Sequence, residues 1–138
     1  MNRDSRDAMR KVGVSAATDV TGYGFLGHLS EMLEAGGVGA VVHLRAVPVW
    51  ERTKPLAAGG CYPDGLTNNR EYLEGKVRGE GVGADDLLPL YDPQTSGGLL
   101  IAIAAEKVGE LTRKLEEYRV PGAVVGEVVE ESGVRVTR

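Results

Sequence analysis

The chain has 138 residues, with 16 Lys and Arg against 20 Asp and Glu and a formal net charge of -4 at pH 7. That length fits one domain with a core of its own, and the mildly acidic balance without any Lys/Arg run argues against nucleic acid as the main partner. A single cysteine, Cys61, excludes an internal disulfide framework and a cysteine zinc cage. No stretch reads as a signal peptide or a membrane span, so the expectation is a soluble, cytoplasmic domain with no membrane partner.

Residues 5–12 read as the end of a helix, and residues 1–17 as a linker or helical lead-in from a half lying upstream, which leaves 18–138 as the domain proper. Over residues 22–35 the apolar side chains Phe25, Leu26, Leu29, Met32 and Leu33 recur at three- and four-residue spacing, predicting an amphipathic helix. Gly36-Gly37 supplies its stop. Residues 38–47 are rich in β-branched side chains and read as a buried central strand. Residues 48–69 read as a short helix and then a long irregular connection carrying Gly59, Gly60, Pro63 and Gly65. A further short helix is expected over 69–77, and Gly79, Gly81 and Gly83 break up the stretch beyond it. Residues 99–104 form a compact apolar strand. Val108, Leu111, Leu115 and Tyr118 mark a last amphipathic helix, ended by Pro121-Gly122. Residues 123–129 and 134–137 resemble the two strands of a terminal hairpin. Helices between strands that close in a hairpin predict an α+β fold, a mixed β-sheet layered with helices.

Gly22, Gly24 and Gly27 satisfy G-x-G-x-x-G literally. A dinucleotide site also needs an apolar strand directly before the glycines and an acidic residue ending the next strand. Ser15, Thr18, Asp19 and Thr21 occupy the first place and Leu44-Arg45 the second, so that reading fails on context. Another use remains. Glycines at a helix start let a ligand approach backbone amides, and the helix dipole favours an anion there. A carboxylate beside a phosphate repels it unless a cation lies between them, so Asp19 implies Mg²⁺ with further ligands from water, phosphate and another domain or chain. The plainer alternative is that Asp19 or Thr21 caps the helix. His28 reads as a packed, hydrogen-bonded residue, since Met32 stands at i+4 where a second ligand would be needed.

Downstream, Asp92-Pro93 favours a turn, and Thr95, Ser96, Gly97 and Gly98 offer two hydroxyls and flexible amides directly before a strand. That composition suits an oxyanion cradle. It equally suits a tight turn in which the hydroxyls satisfy local backbone and the glycines supply positive φ. Cys61 has no activating partner in the sequence.

Taken together, Thr18-Asp19-Val20-Thr21-Gly22-Tyr23-Gly24 with Leu26-Gly27-His28-Leu29 and Glu31-Met32, and Asp92-Pro93-Gln94-Thr95-Ser96-Gly97-Gly98-Leu99-Leu100, resemble the two signatures of the C-terminal domain of selenophosphate synthetase (selenide, water dikinase). The resemblance covers nearly the whole chain. Pro63-Asp64-Gly65-Leu66-Thr67-Asn68-Asn69 resembles a P-G-G-T-x-x-N segment of that family, with Asp64 and Leu66 departing from Gly and Thr. The resemblance implies the C-terminal domain of the aminoimidazole ribonucleotide synthetase-like fold, and a reaction of ATP, selenide and water to selenophosphate, AMP and phosphate. It further implies Mg²⁺ with Asp19 as the one carboxylate from this half. Thr21, Gly22, Gly24, Thr95, Ser96, Gly97 and Gly98 would line the shared ATP site. The family's reactive Cys or selenocysteine, its Lys and most of its magnesium-binding aspartates belong to an N-terminal ATP-binding half, which is the implied partner, with a homodimer when complete. No residue of this chain is assigned a catalytic role, and the isolated chain is expected to be inactive, because phosphoryl transfer needs several positive charges around the transferred group. The alternative is a non-catalytic nucleotide- or partner-binding module of the same fold.

Overall fold

Helix α1 (Arg3–Val12) buries Ser5, Ala8 and Val12, one face at three- and four-residue spacing, and packs that face toward α6 (Val108–Glu117). Its C-terminal carbonyl at Val12 accepts Lys107 Nζ at 3.2 Å, a cation at the negative end of the helix. In the computed structural model, which describes residues 2–138, residues expected as a lead-in are therefore seated on the last helix.

The strands form two sheets. In the smaller, β1 (Ala16–Asp19) pairs antiparallel with β4 (Leu99–Ala102), setting Asp19 opposite Leu99 and Thr18 opposite Leu100. No strand is expected before the glycines from the sequence. Ala-Ala-Thr-Asp alternates half-buried and exposed positions with small and polar residues, so its period of two carries almost no hydrophobic signal.

The second sheet runs β3 (Val77–Gly79), β6 (Gly133–Thr137), β2 (Gly39–His43), β5 (Gly126–Val129). The β3–β6 and β6–β2 pairs are parallel and β2–β5 is antiparallel, which makes the sheet mixed and the fold α+β. The expected terminal hairpin does not form, because β5 and β6 lie on either side of β2 instead of pairing with each other. Four successive residues of β2, Gly39 to Val42, are buried, and a strand so apolar is best satisfied with both edges hydrogen-bonded inside the sheet. The strand is also shorter than expected, passing at Leu44–Ala46 into a 3₁₀ turn.

Helix α2 (Gly24–Gly36) starts two residues later than the apolar spacing implied and ends on Gly37 at φ 66°. The short helix expected within 48–69 forms as α3 (Thr53–Ala58), whereas α4 (Asp64–Tyr72) and strand β3 replace much of the irregular connection expected after it and the helix expected over 69–77. A further helix, α5 (Ala84–Tyr91), occupies a stretch left unassigned, where flanking glycines and the internal Pro89 hide the helical pattern. Leu26, Leu29 and Leu33 of α2, Leu66 and Leu73 around α4, Leu87 to Tyr91 of α5, and Val42 and Val136 of the sheet form one core. Leu66, one of the two departures from the P-G-G-T-x-x-N pattern, is 1% exposed within it. Asp64, the other, lies in the first turn of α4, where the helix dipole favours a carboxylate.

Candidate functional site

The two glycine-rich segments, more than seventy residues apart, are bound to each other by backbone hydrogen bonds. Beyond Asp19 the β1–β4 pairing continues, with Val20 N–H donating to Gly98 O and Gly97 N–H donating to Val20 O, each at 3.0 Å. The Thr21 carbonyl then accepts both Gln94 N–H and Gly24 N–H at 3.0 Å. Neither Asp19 nor Thr21 caps α2, whose N-cap position is Tyr23 without a side-chain hydrogen bond. That alternative is corrected: the chain needs residues 20–23 to turn from strand to helix, and the cap position falls beyond reach of Asp19.

Asp19 is exposed at the end of β1 and has no ion pair among the described residues. It borders a groove of about 530 Å³ that also exposes Arg3, Arg6, Thr18 and Leu99. Arg6 is held at 2.8 Å by its neighbour Asp7, whose carboxyl it keeps below the ordinary range through that hydrogen bond. Helix α1 thus lines the groove at the carboxylate of the first motif with two arginines. Its start is tied to the second motif by Asn2 Nδ2, which donates to Gly97 O at 3.0 Å. Sequence reading missed Arg3 and Arg6. Their signal was an i, i+3 spacing on the side of α1 away from Ser5, Ala8 and Val12.

The glycines divide into two kinds. Gly22 and Gly98 have open space where a Cβ would sit, leaving their backbone approachable. Gly24 is buried with φ 68°, and a Cβ there would lie 2.7 Å from the Tyr91 carbonyl, while Gly97 has its amide engaged by Val20. Gly24 and Gly97, whose amides donate to the Thr21 and Val20 carbonyls, permit the two segments to touch. Positive φ is required at Gly24 but not at Gly22, Gly97 or Gly98. Thr95 and Ser96 are exposed, and their hydroxyls have no protein partner among the described residues.

Asn69 joins the third segment to the other two. Its Nδ2 donates to Gly22 O at 3.0 Å and to Tyr91 O at 2.9 Å, and the residue is buried. Leu66, Asn69 and Leu73 share the inward face at helical spacing, the pattern by which this asparagine could have been singled out. Beside it, Asp92 keeps Oδ1 buried without a partner, and burial raises its carboxyl above the ordinary range.

His28 is a satisfied histidine, as expected. Its Nε2 lies 3.0 Å from Thr21 Oγ1 and its Nδ1 3.2 Å from Glu31 Oε2, with the Tyr23 ring tilted against the imidazole at 5.3 Å between centroids. Glu31 was overlooked because it stands at i+3. Cys61 is a free, exposed thiol. Among the described residues no three His, Cys, Asp or Glu side chains gather as a metal cage, and no helix is long and apolar enough to cross a membrane.

Residues 1–138 match the family model described as AIR synthase related protein, C-terminal domain. The chain belongs to that family. This AIR synthase related domain is 42% identical over 133 residues to the selenide, water dikinase of Caldanaerobacter subterraneus subsp. tengcongensis, covering 95% of the chain and 38% of that protein. It is 41% identical over 139 residues to the selenide, water dikinase of Carboxydothermus hydrogenoformans, covering 100% of the chain and 40% of that protein. The domain therefore spans about two fifths of the length of these relatives. Its fold is similar to that of the E. coli hydrogenase maturation protein HypE (TM-score 0.63, 22% identity, 96% of this chain and 35% of that one). Phosphoribosylformylglycinamidine synthase II of Thermotoga maritima is a comparable match (TM-score 0.63, 21% identity, 96% of this chain and 18% of that one). The AIR synthase related fold also disposes of the dinucleotide reading by topology: β1 and β2 flank the glycine motif but lie in different sheets, so no βαβ unit exists to carry it.

Proposed function

We propose that this domain completes the metal–ATP site of a selenide, water dikinase whose ATP-binding half supplies the reactive Cys or selenocysteine, the Lys and the remaining metal ligands. The observation that carries the reading is the placement of Asp19, an exposed carboxylate without an ion pair among the described residues. It ends β1 in a groove shared with Arg3 and Arg6 and is paired opposite Leu99 of the second motif. Two arginines and one carboxylate lining the same groove fit a polyphosphate bridged by a divalent ion, and that carboxylate is a hard oxygen donor of the kind Mg²⁺ takes.

Asp19 would hold the metal, and its other ligands would come from phosphate, water and the partner half. Mg²⁺, when bound, neutralises negative charge on the polyphosphate. The chain's own groups orient the nucleotide. Arg3 and Arg6 draw the phosphates toward the groove, the Thr95 and Ser96 hydroxyls donate to phosphate oxygens, and the bare backbone at Gly22 and Gly98 permits close approach. With one carboxylate at the groove, and with the reactive Cys or selenocysteine and the Lys assigned to the other half, the chain alone does not turn over ATP.

In the full-length synthetase carrying this domain, Asp19→Asn is expected to lower AMP formation about a hundredfold, the scale of a lost metal-linked stabilisation, with the thermal midpoint unchanged. Unaltered turnover and metal dependence in that variant would leave the domain as a non-catalytic module.

A further inference from the structure

We infer that the free edge of β4 takes an extended segment of the polypeptide that precedes this C-terminal domain in its longer relatives, which adds there as a third strand. The smaller sheet has only two strands, fewer than a sheet needs to stand by itself. Its hydrogen-bond alternation is fixed by Val20 N–H donating to Gly98 O at one end and Ser15 N–H donating to Ala102 O at the other, at 3.0 and 2.9 Å. In that register Thr18 and Leu100, and likewise Ala16 and Ala102, turn their backbone groups toward each other. Leu99 and Ile101 therefore turn theirs outward, where they meet no backbone partner among the described residues.

Four strand edges bound the two sheets, and the sequence guards three of them. Strand β1 carries Asp19, and the outer strands β3 and β5 of the larger sheet carry Arg78 and Glu127, charges that discourage further pairing. Residues 99–104 read Leu-Leu-Ile-Ala-Ile-Ala, without a charge, a proline or a glycine, the composition that pairs most readily with another strand. Leu99 and Ile101 are both partly exposed. An unguarded edge of this kind is kept safe by being covered, and backbone donors alternating with acceptors are met by another extended backbone. Roughly three fifths of each relative lies outside the matched region, and a segment of the same polypeptide outcompetes a second copy through its high effective concentration. The β4 edge also continues the groove at Asp19, to which Leu99 contributes.

Amide hydrogen exchange in the full-length synthetase tests this within one strand. Leu100 and Ala102, bonded to β1, are the internal reference. A third strand makes Leu99 and Ile101 exchange as slowly as these two, whereas in the 138-residue chain the pattern alternates, with Leu99 and Ile101 about a hundredfold faster. Fast exchange at Leu99 and Ile101 of the full-length protein overturns the inference, and so does equal protection of all four in the 138-residue chain. Protection that disappears on dilution assigns the edge to a second copy and overturns the occupant. Ile101→Pro removes one outward N–H at an edge position, where proline is tolerated, and Ile101→Ala keeps it. In the full-length protein the proline variant should speed exchange at Leu99 about tenfold or more and the alanine variant should not. Equal effects would trace the protection to side-chain packing and overturn the pairing. The measurement needs neither nucleotide nor Mg²⁺, so its failure leaves the metal–ATP reading standing, and an Asp19→Asn variant of normal activity leaves the added strand standing.

Discussion

The carbonyl oxygen of Val20 accepts the Gly97 amide at 3.0 Å and occupies the space where a Cβ on residue 97 would have to lie. Gly97 is thus the point at which the second motif closes on the first. Replacing it by alanine should cost roughly 2–3 kcal/mol in urea unfolding, because a methyl group there displaces backbone and not a yielding side chain. The neighbouring Gly98→Ala, with no atom within 4 Å of the added carbon, should stay within about 0.5 kcal/mol of the parent. Equal effects at the two positions would refute this account of the junction.

Asn69→Ala removes the donor shared by the Gly22 and Tyr91 carbonyls inside the protein. Stranding two acceptors should cost about 2–3 kcal/mol. Asn69→Asp should be worse, since its carboxylate would face the same two oxygens. Chemical denaturation of the three proteins side by side checks the order.

Arg3→Ala and Arg6→Ala remove exposed charge from the groove at Asp19. In the full-length synthetase each should raise the KM for ATP roughly three- to fivefold with kcat nearly unchanged, on the scale of a solvent-screened ionic contact. Added salt should shrink the difference from the parent. A salt-independent loss of kcat would count against this electrostatic role.

Burial holds the Asp92 carboxyl above its ordinary value of 3.8. A raised folded value means that the native state binds the proton more tightly than the unfolded chain, so above that value the charge opposes folding. The opposition is relieved as pH falls through the folded value toward 3.8. Asp92→Asn should therefore raise Tm at neutral pH, with the advantage fading in acid. An offset independent of pH would show that the buried Oδ1 is not its source.

Local chemistry legible in the chain determined the core face of α2, the course of α6 and the existence of two glycine-rich segments around Asp19 and Ser96. Each rests on spacing within a dozen residues or on residue types whose backbone demands are intrinsic. Helix α5 and strand β1 escaped because their signals are weak: Pro89 and three glycines mask one, and alanine, threonine and aspartate carry no hydrophobic alternation in the other. What only the tertiary structure decided was which groups meet. It separated β5 from β6 by inserting β2, brought α1 and its arginines to Asp19, and joined Thr21, His28 and Glu31 into one hydrogen-bonded line. It also distinguished the open glycines 22 and 98 from the buried or engaged 24 and 97. Sheet order and close backbone contact depend on partners tens of residues away, and one-dimensional periodicity holds no record of them.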